Sequence, residues 1–342
     1  MSSEPILTIE DLTVEFWTED GIVRAVTGVS YELFPGEVLG IVGESGSGKS
    51  VSMLSVLGLI PQPPGRITSG QAIFKDRDLL KLPKDELRKI RGGDMAMIFQ
   101  DPMTSLNPVL TVGSQIAEAI RAHNPDVKED EAERRVIQLL SIVGVPNPEQ
   151  RYRQYPHEFS GGMRQRGMIA MAIANSPSVL VADEPTTALD VTIQAQIMEV
   201  IKTAQRETHA AIILITHDLG LIAELADRVV VMYAGRVVEL SDVYSIFHGP
   251  RHPYTVGLMN SLARLEGDQA RLEPIPGQPP SMISPPPGCA FHPRCLVSQG
   301  RARCRTEIPE LRNFGEHHLS ACHFADEVAA QRVPAGASGR AP

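Results

Sequence analysis

The stretch Gly43-Glu44-Ser45-Gly46-Ser47-Gly48-Lys49-Ser50 decides the fold of this 342-residue chain. The apolar run Val38-Leu39-Gly40-Ile41-Val42 precedes it, and residues 51–57 follow with apolar side chains at helical spacing. A strand, a glycine-rich loop and a helix in this order are typical of a phosphate-binding loop. We therefore predict that this stretch binds the phosphates of a nucleotide. The predicted contacts are Gly43, Glu44, Ser45, Gly46, Ser47, Gly48, Lys49 and Ser50.

The residue types of this loop match the chemistry of phosphate. Glycine adopts backbone angles that other residues avoid, so Gly43, Gly46 and Gly48 allow successive N–H groups to point toward one place. The N-terminus of the following helix adds a partial positive charge there. Lys49 supplies a charge for the outer phosphates, and Ser50 supplies a hydroxyl for Mg²⁺. The loop therefore predicts a nucleotide bound with Mg²⁺.

The composition restricts the class of protein. The chain contains 42% hydrophobic and 21% charged residues, and its length suggests two structural units. A net charge of −9 argues against a nucleic-acid binder that neutralises many phosphates. No apolar run reaches the roughly 20 residues that span a bilayer, and the polar start at Met1 to Pro5 is unlike a signal peptide. We expect a cytosolic protein without a nucleic-acid partner.

Two aromatic residues lie before the loop, near the end of a predicted strand. Residues 6–34 alternate apolar and polar side chains around a turn at Asp20-Gly21, which predicts an antiparallel sheet. Phe16 and Trp17 fall within this sheet, where an aromatic ring can stack on adenine. Aromatic residues of strands also commonly belong to the core, so position alone leaves both roles open.

Two later strands end in side chains suited to catalysis. The apolar run 179–182 ends in Asp183-Glu184, and the apolar run 211–215 leads to His217. Ligands of open α/β sheets bind at the carboxyl ends of the strands. We predict that Asp183 binds Mg²⁺, directly or through water, and that Glu184 acts on the attacking water.

A helical block lies between the strands of the chain. Helical periodicity covers residues from about 103 to 166. One face of this block contains Ala132, Val136, Leu139, Leu140 and Val143. Near its end, Ser160-Gly161-Gly162 begins a helix whose first turn has almost no side chains, so its N–H groups can approach an anion. Serine at a helix start is common, so this turn alone predicts no function.

Together, these motifs resemble those of ATP-binding cassette proteins over residues 5–245. The motifs are, in order, the phosphate loop, Gln100, Ser160-Gly161-Gly162, Asp183-Glu184, Leu189-Asp190 and His217. The resemblance implies that Gln100 links the γ-phosphate and Mg²⁺ to a transmembrane partner, and that His217 holds the γ-phosphate. It also implies two cassettes paired head to tail, so that the turn at Ser160 contacts the ATP on the other cassette. Phe16 matches the adenine-stacking aromatic of the family better than Trp17 does.

The resemblance also implies a catalytic cycle. ATP would close the cassette pair, and hydrolysis would reopen it. Glu184 would orient or deprotonate the water, while Lys49, Mg²⁺ and the partner's serine-glycine turn would stabilise charge on the γ-phosphate. The catalytic residues implied in this way are Glu184, His217, Gln100 and Lys49.

Two stretches narrow the resemblance to the cassettes of oligopeptide and dipeptide importers. Residues 99–108 are similar to the extended glutamine loop of that subfamily, and residues 252–255 with residues 289–295 are similar to its C-terminal extension. Nickel importers share much of this pattern, so nickel or another solute is the alternative cargo. A soluble cassette ATPase acting on nucleic acid or ribosomes is a weaker alternative, because the chain is acidic and contains a single phosphate loop.

The subfamily implies a set of partners and a location. The partners would be two transmembrane permease subunits, a second ATPase subunit forming a heterodimer, and an extracytoplasmic peptide-binding protein that acts through the permeases. The protein would lie peripherally on the cytoplasmic face of the cell membrane.

Four cysteines, Cys289, Cys295, Cys304 and Cys322, fall in the last sixth of the chain with the spacing C-x5-C-x8-C-x17-C. In a reducing compartment such a cluster indicates a metal before a disulfide. The spacing lacks a CxxC pair and fits neither the usual zinc ribbon nor the short ferredoxin run. The resemblance favours a structural 4Fe-4S cluster, with zinc as the alternative and free or paired thiols as the remaining possibility. Metal binding would supply folding energy to a segment poor in apolar residues.

The predicted fold is α/β, with a P-loop NTPase (RecA-like) core, an antiparallel β subdomain, an inserted helical subdomain and a cysteine-containing C-terminal extension. The predicted boundaries are 1–247 for the ATPase domain, about 103–166 for its helical subdomain, 248–325 for the extension and 326–342 for a disordered tail.

Overall fold

The computed structural model describes residues 4–101, 105–187, 190–261, 275–315 and 317–330. The strands in chain order are β1 (Leu7–Thr18), β2 (Gly21–Leu33), β3 (Val38–Val42), β4 (Gly65–Phe74), β5 (Arg77–Asp78), β6 (Met95–Ile98), β7 (Val179–Asp183), β8 (Ala211–Thr216), β9 (Arg228–Tyr233), β10 (Arg236–Asp242), β11 (Arg312–Asn313) and β12 (Leu319–Ser320). The α-helices are α1 (Lys49–Val56), α2 (Lys84–Ile90), α3 (Val112–His123), α4 (Glu129–Ile142), α5 (Pro148–Tyr152), α6 (Gly161–Ala172), α7 (Val191–Thr208), α8 (Leu219–Leu225), α9 (Val243–His248), α10 (Pro253–Asn260), α11 (Ala302–Thr306) and α12 (Ala325–Ala330).

The chain divides into two compact units. The first unit consists of Met1–Leu7, Glu32–Val38 and Ile73–Ile215. The second unit consists of Thr8–Tyr31, Leu39–Ala72 and Thr216–Pro342. Segments from both ends of the chain therefore belong to the second unit, which includes the phosphate loop.

Three parallel strands form the centre of the first unit, in the order β8-β7-β6. Every residue of β7 and β8 is buried, as expected for parallel strands that are covered on both faces. The pairing of β7 with β8 runs from Val179↔Ala211 to Asp183↔Ile215. Asp183 consequently lies at the carboxyl edge of these strands, as the sequence predicts.

The helices of the first unit include the predicted amphipathic pattern. In α4 the buried residues are Ala132, Val136 and Leu140, and Val143, directly after the helix, is also buried. These four confirm the predicted apolar face, whereas Leu139 is only half-buried. Helices α3 and α6 both contact α4. The boundaries of the helical subdomain at about 103 and 166 stay a prediction, as do the other domain boundaries.

The second unit contains two groups of strands. One group has the order β11-β12-β10-β9-β3, in which β3 pairs in parallel with β9 and β9 pairs antiparallel with β10. The other group has the order β2-β1-β4, and β1 and β2 are joined by a turn at residues 19–20. The second group confirms the sheet that was predicted before the loop.

The C-terminal segment, defined here as the described residues from 248 to 330, joins the first of these groups. Strand β12 pairs antiparallel with β10, with Leu319 opposite Leu240 and Ser320 opposite Glu239. After β12, the buried residues Cys322, Ala325 and Val328 form a small apolar cluster. The tail predicted from residue 326 thus begins within α12, and its remainder from residue 331 lies outside the described residues.

A buried carboxylate attaches the C-terminal segment to β10. Glu239 is fully buried, and its side chain accepts hydrogen bonds from the backbone N–H groups of Arg251 and His252. The imidazole Nε2 of His318 lies 2.6 Å from the same carboxylate. Burying a carboxylate is costly unless hydrogen bonds compensate for lost water. These three contacts therefore make Glu239 the main polar anchor between β10 and the segment.

Among the helices of the described ranges, none combines the length and the apolar character that crossing a membrane requires.

Replacing Glu239 by Ala should destabilise the protein strongly. The substitution leaves two buried N–H groups and the His318 imidazole without their acceptor, which costs about 3 kcal/mol or more in free energy of unfolding. Urea denaturation followed by circular dichroism measures the change. Glu327→Ala is the matched control, because Glu327 forms an exposed pair with Arg301 and should change the free energy by less than about 1 kcal/mol. Equal losses in the two variants would contradict the anchoring role.

The buried His252 predicts a loss of stability in acid. Burial lowers the pKa of His252 to about 4, and its Nδ1 accepts a hydrogen bond from the Tyr254 N–H. Between pH 6.5 and 4 the unfolded chain binds a proton at this position and the native chain does not, so stability falls as the pH falls through this window. The shift is worth on the order of 3 kcal/mol. His252→Asn, which keeps a capping acceptor, should lose this part of the pH dependence in urea titrations at pH 4.5 and 7.

Candidate nucleotide-binding site

The phosphate loop lies in the second unit, where it connects β3 to α1. Gly43 has a φ of 153° and Gly48 a φ of 98°, which only glycine adopts readily. An added Cβ would also overlap a carbonyl oxygen of a neighbouring strand, that of Met232 at Gly43 and that of Ala25 at Gly48. The predicted strand, loop and helix are confirmed. Glycine is required at positions 43 and 48, because the backbone of neighbouring strands leaves no room for a side chain there.

Several features of the loop fit an anion. Helix α1 begins after Gly48, and no side chain among the described residues caps its N-terminus, which leaves the helix dipole directed at the loop. The Lys49 ammonium is buried and donates to the carbonyl oxygens of Gly43 and Glu44, at 2.7 and 3.1 Å. The hydroxyl of Ser47 is buried without a hydrogen-bond partner in the described part of the chain. A buried donor of this kind indicates a ligand.

Glu44 makes contacts that the sequence did not reveal. Its backbone N–H donates to the Tyr254 hydroxyl at 2.8 Å, and its carboxylate receives two hydrogen bonds from the Arg294 guanidinium at 2.6 and 3.0 Å. Tyr254 and Arg294 lie inside the two C-terminal stretches that resemble the peptide-importer extension. Their positions in those stretches were the only available signal, and sequence alone gave them no role at the loop.

The first unit brings Gln100 and Glu184 together. Glu184 follows β7 with a φ of 45°, an uncommon backbone angle for a residue with a side chain. Its N–H donates to the Ile215 carbonyl oxygen. Its carboxylate accepts hydrogen bonds from the Gln100 side-chain amide at 3.0 Å and from the Thr187 hydroxyl at 2.8 Å. Both of these donors are neutral groups that orient the carboxylate, and Thr187 was not predicted.

The serine-glycine turn also lies in the first unit. Ser160 caps α6, because its hydroxyl accepts a hydrogen bond from the Met163 N–H at 3.3 Å. Ser160 and Gly161 are both exposed, so the turn is accessible to a ligand. Asp190 caps α7 in the same way, whereas Leu189 lies outside the described residues.

The remaining predicted residues lie in the second unit. Phe16 is half-buried and Trp17 is 49% exposed. The Arg66 guanidinium covers the Trp17 ring at 4.7 Å, so this ring already has a stacking partner. His217 is exposed directly after β8. The roles of Phe16 at adenine and of His217 at the γ-phosphate stay predictions.

The iron–sulfur prediction for the four cysteines is wrong. Among the described residues, which include all four, no group of three or more His, Cys, Asp or Glu side chains is arranged to hold a metal ion. The four thiols are free. Burial is the main cause that raises the pKa of the Cys289 thiol to about 11 and that of the Cys322 thiol to about 12. The same finding gives zinc no support.

Two family models match the chain. The model described as ABC transporter matches residues 26–187, and the model described as oligopeptide/dipeptide transporter, C-terminal region, matches residues 238–304. The first match includes the phosphate loop and Glu184. The second includes both Tyr254 and Arg294.

Curated relatives match nearly the whole length. The chain is 50% identical to the dipeptide transport ATP-binding protein DppD of Bacillus subtilis, over 97% of this chain and 98% of that protein. It is 50% identical to DppD of Escherichia coli, over 93% and 96%. It is 52% identical to the oligopeptide transport ATP-binding protein OppD of Bacillus subtilis, over 84% and 80%.

Solved structures agree with the fold. A dimeric ATP-binding cassette in a post-hydrolysis state, bound to ADP and Pi, matches with a TM-score of 0.62 and 26% identity, over 69% of this chain and 98% of that chain. The cbiO1 protein of Clostridium perfringens, part of an ABC transporter complex, matches with a TM-score of 0.59 and 29% identity, over 71% and 90%. The predicted cassette fold of the P-loop NTPase class is thereby confirmed.

Proposed function

This chain belongs to the ATP-binding cassette family, and on that premise we propose that it energises the import of dipeptides or oligopeptides across a membrane. It is an ATPase of that family. The observation that supports the peptide cargo is the full-length similarity to DppD proteins together with the match of residues 238–304 to the oligopeptide/dipeptide C-terminal region.

The proposal includes the partners of such an importer. The chain would associate with two membrane permeases and a second, related ATPase subunit on the cytoplasmic face, and a peptide-binding protein would act from the other side. The exposed turn at Ser160 supports a second ATPase subunit, because an accessible helix N-terminus can contact a phosphate of another chain. The acidic net charge of −9 supports the exclusion of nucleic acid.

The loop of residues 43–50 would hold the phosphates of ATP through its N–H groups and Lys49. Ser50 and Asp183 would hold Mg²⁺, which neutralises charge on the phosphate oxygens when it is bound. Glu184 would orient or deprotonate the attacking water. The hydrogen bonds from Gln100 and Thr187 to Glu184 support this role, because they fix the direction of the carboxylate.

Replacing Glu184 by Gln tests the catalytic assignment. The amide keeps the size of the side chain but cannot accept a proton, so ATP turnover should fall by about 100-fold or more, while ATP binding persists. Phosphate release and the binding of a fluorescent ATP analogue measure the two properties. Glu207→Gln, an exposed substitution of the same chemistry on α7, is the control. Undiminished turnover in the Glu184 variant would contradict the assignment.

The cargo is tested with the complete transporter in proteoliposomes. We expect ATP-dependent uptake of labelled dipeptides or oligopeptides, and stimulation of ATP turnover by the peptide-loaded binding protein. Uptake of nickel with no response to peptides would refute the peptide proposal while leaving the ATPase assignment intact.

A further inference from the structure

Glu44 of the phosphate loop contacts the C-terminal segment through both its backbone N–H and its carboxylate. The hydroxyl of Tyr254, near the start of α10, accepts a hydrogen bond from the Glu44 N–H. The guanidinium of Arg294, at the end of the short 3₁₀ turn His292–Arg294, binds the Glu44 carboxylate with both terminal nitrogens. The Glu44 carbonyl oxygen accepts a hydrogen bond from the Lys49 ammonium. The same carbonyl oxygen also accepts a hydrogen bond from the Ser47 N–H at 3.2 Å. Every polar group of Glu44 therefore has a defined partner, and two of these partners, Tyr254 and Arg294, come from outside the loop.

The Arg294 side chain is fixed on all sides. It is 5% exposed, whereas the Glu44 side chain is 26% exposed. Its Nε donates to the Pro276 carbonyl oxygen, and its terminal nitrogens also donate to the Ile275 carbonyl oxygen and to the Tyr233 hydroxyl. All five N–H donors of the guanidinium thus have acceptors. A two-point ion pair of this kind is directional as well as strong.

The Tyr254 side chain is equally constrained. It is fully buried and lies in an aromatic cluster with Tyr233 and Phe291, at ring centroid distances of 4.6 and 5.4 Å. Tyr233 ends β9, the strand that pairs with β3 just before the loop. The hydroxyl of Tyr254 therefore holds the Glu44 N–H from a rigid support.

We propose that the C-terminal segment positions the phosphate-binding loop through Tyr254 and Arg294, so that affinity for ATP depends on these two positioning residues. A phosphate loop binds through backbone N–H groups, whose directions change when the loop shifts. Arg294 has a second effect, because it neutralises a carboxylate that belongs to the anion-binding loop itself. Without Arg294, the charge of Glu44 is left without its counterion and opposes the triphosphate.

If the unpaired charge of Glu44 repels ATP, the Arg294→Ala variant should bind ATP more weakly than the double variant that also lacks the Glu44 carboxylate. Arg294→Ala removes the anchor and leaves the Glu44 charge, so the Kd for MgATP should rise by about tenfold. Adding Glu44→Ala to that variant removes the repulsion and should recover part of the lost affinity. If each substitution weakened binding independently, by destabilising the protein, the two effects would add. The double variant would then recover no affinity for ATP.

The experiment uses the full chain with its second ATPase subunit and measures the Kd of a fluorescent ATP analogue, the KM and kcat for ATP, and thermal unfolding. For Arg294→Ala we expect Kd and KM to rise about tenfold with kcat changed less than threefold. Tyr254→Phe, which keeps the ring in the aromatic cluster, should raise Kd severalfold and provides the test if Arg294→Ala does not fold. Arg301→Ala is the matched control, because Arg301 forms a two-point pair with Glu327 in the same segment.

The inference rests on the proposed role of the loop as the ATP site. The Lys49→Ala variant distinguishes a failure of that role from a failure of the positioning role of Tyr254 and Arg294. If Lys49→Ala binds ATP as tightly as the unsubstituted chain, the proposed site fails. If Lys49→Ala abolishes binding while Arg294→Ala and Tyr254→Phe bind ATP within twofold of the unsubstituted chain, only the positioning role is refuted. A loss of affinity in Arg301→Ala equal to that in Arg294→Ala would also refute it.

Discussion

The carbonyl oxygens of Met232 and Ala25 lie so close to the phosphate loop that neither Gly43 nor Gly48 has room for a side chain. Met232 belongs to β9 and Ala25 to β2, so backbone from two different sheets bounds the loop. The shape of the loop is consequently set by the strands around it as much as by its own glycines. Any element that positions those strands therefore also influences where the loop's N–H groups point.

The parts of this arrangement that sequence could predict are those encoded within a few residues. Buried strands, the glycine-rich loop, the apolar face of α4 and the serine cap of α6 each depend on local periodicity or on a side chain bonding a nearby N–H group. Gln100 and Glu184 were both predicted, although only as separate motifs. The pairing of Arg294 with Glu44 spans 250 residues, and no spacing or periodicity indicates it, because only the folded sheet brings them together.

The four cysteines show a second reason why a site cannot be predicted from sequence alone. Their spacing shows how many thiols one segment contains, but not whether the folded segment arranges them around a metal ion. The low apolar content of the segment suggests that it needs a metal to fold, yet other contacts supply stability. Arg301 stacks on Phe324 at 4.0 Å and Arg251 on Phe314 at 5.1 Å, which is the cation–π geometry. The buried Glu239 adds hydrogen bonds to backbone that periodicity cannot reveal.

The contact between Arg294 and Glu44 changes the net charge at the phosphate loop. An anion-binding loop gains from positive charge, yet this one includes the carboxylate of Glu44 beside the ammonium of Lys49. Because the Arg294 guanidinium is buried against Glu44, the three side chains together leave one positive charge at the loop. Salt screens exposed charges more effectively than buried ones, so the guanidinium, at 5% exposure, retains its effect at physiological ionic strength. The C-terminal segment thus contributes electrostatically to the phosphate loop through Arg294, which lies 250 residues after Glu44. No subdivision of the chain into separate motifs would reveal this contribution.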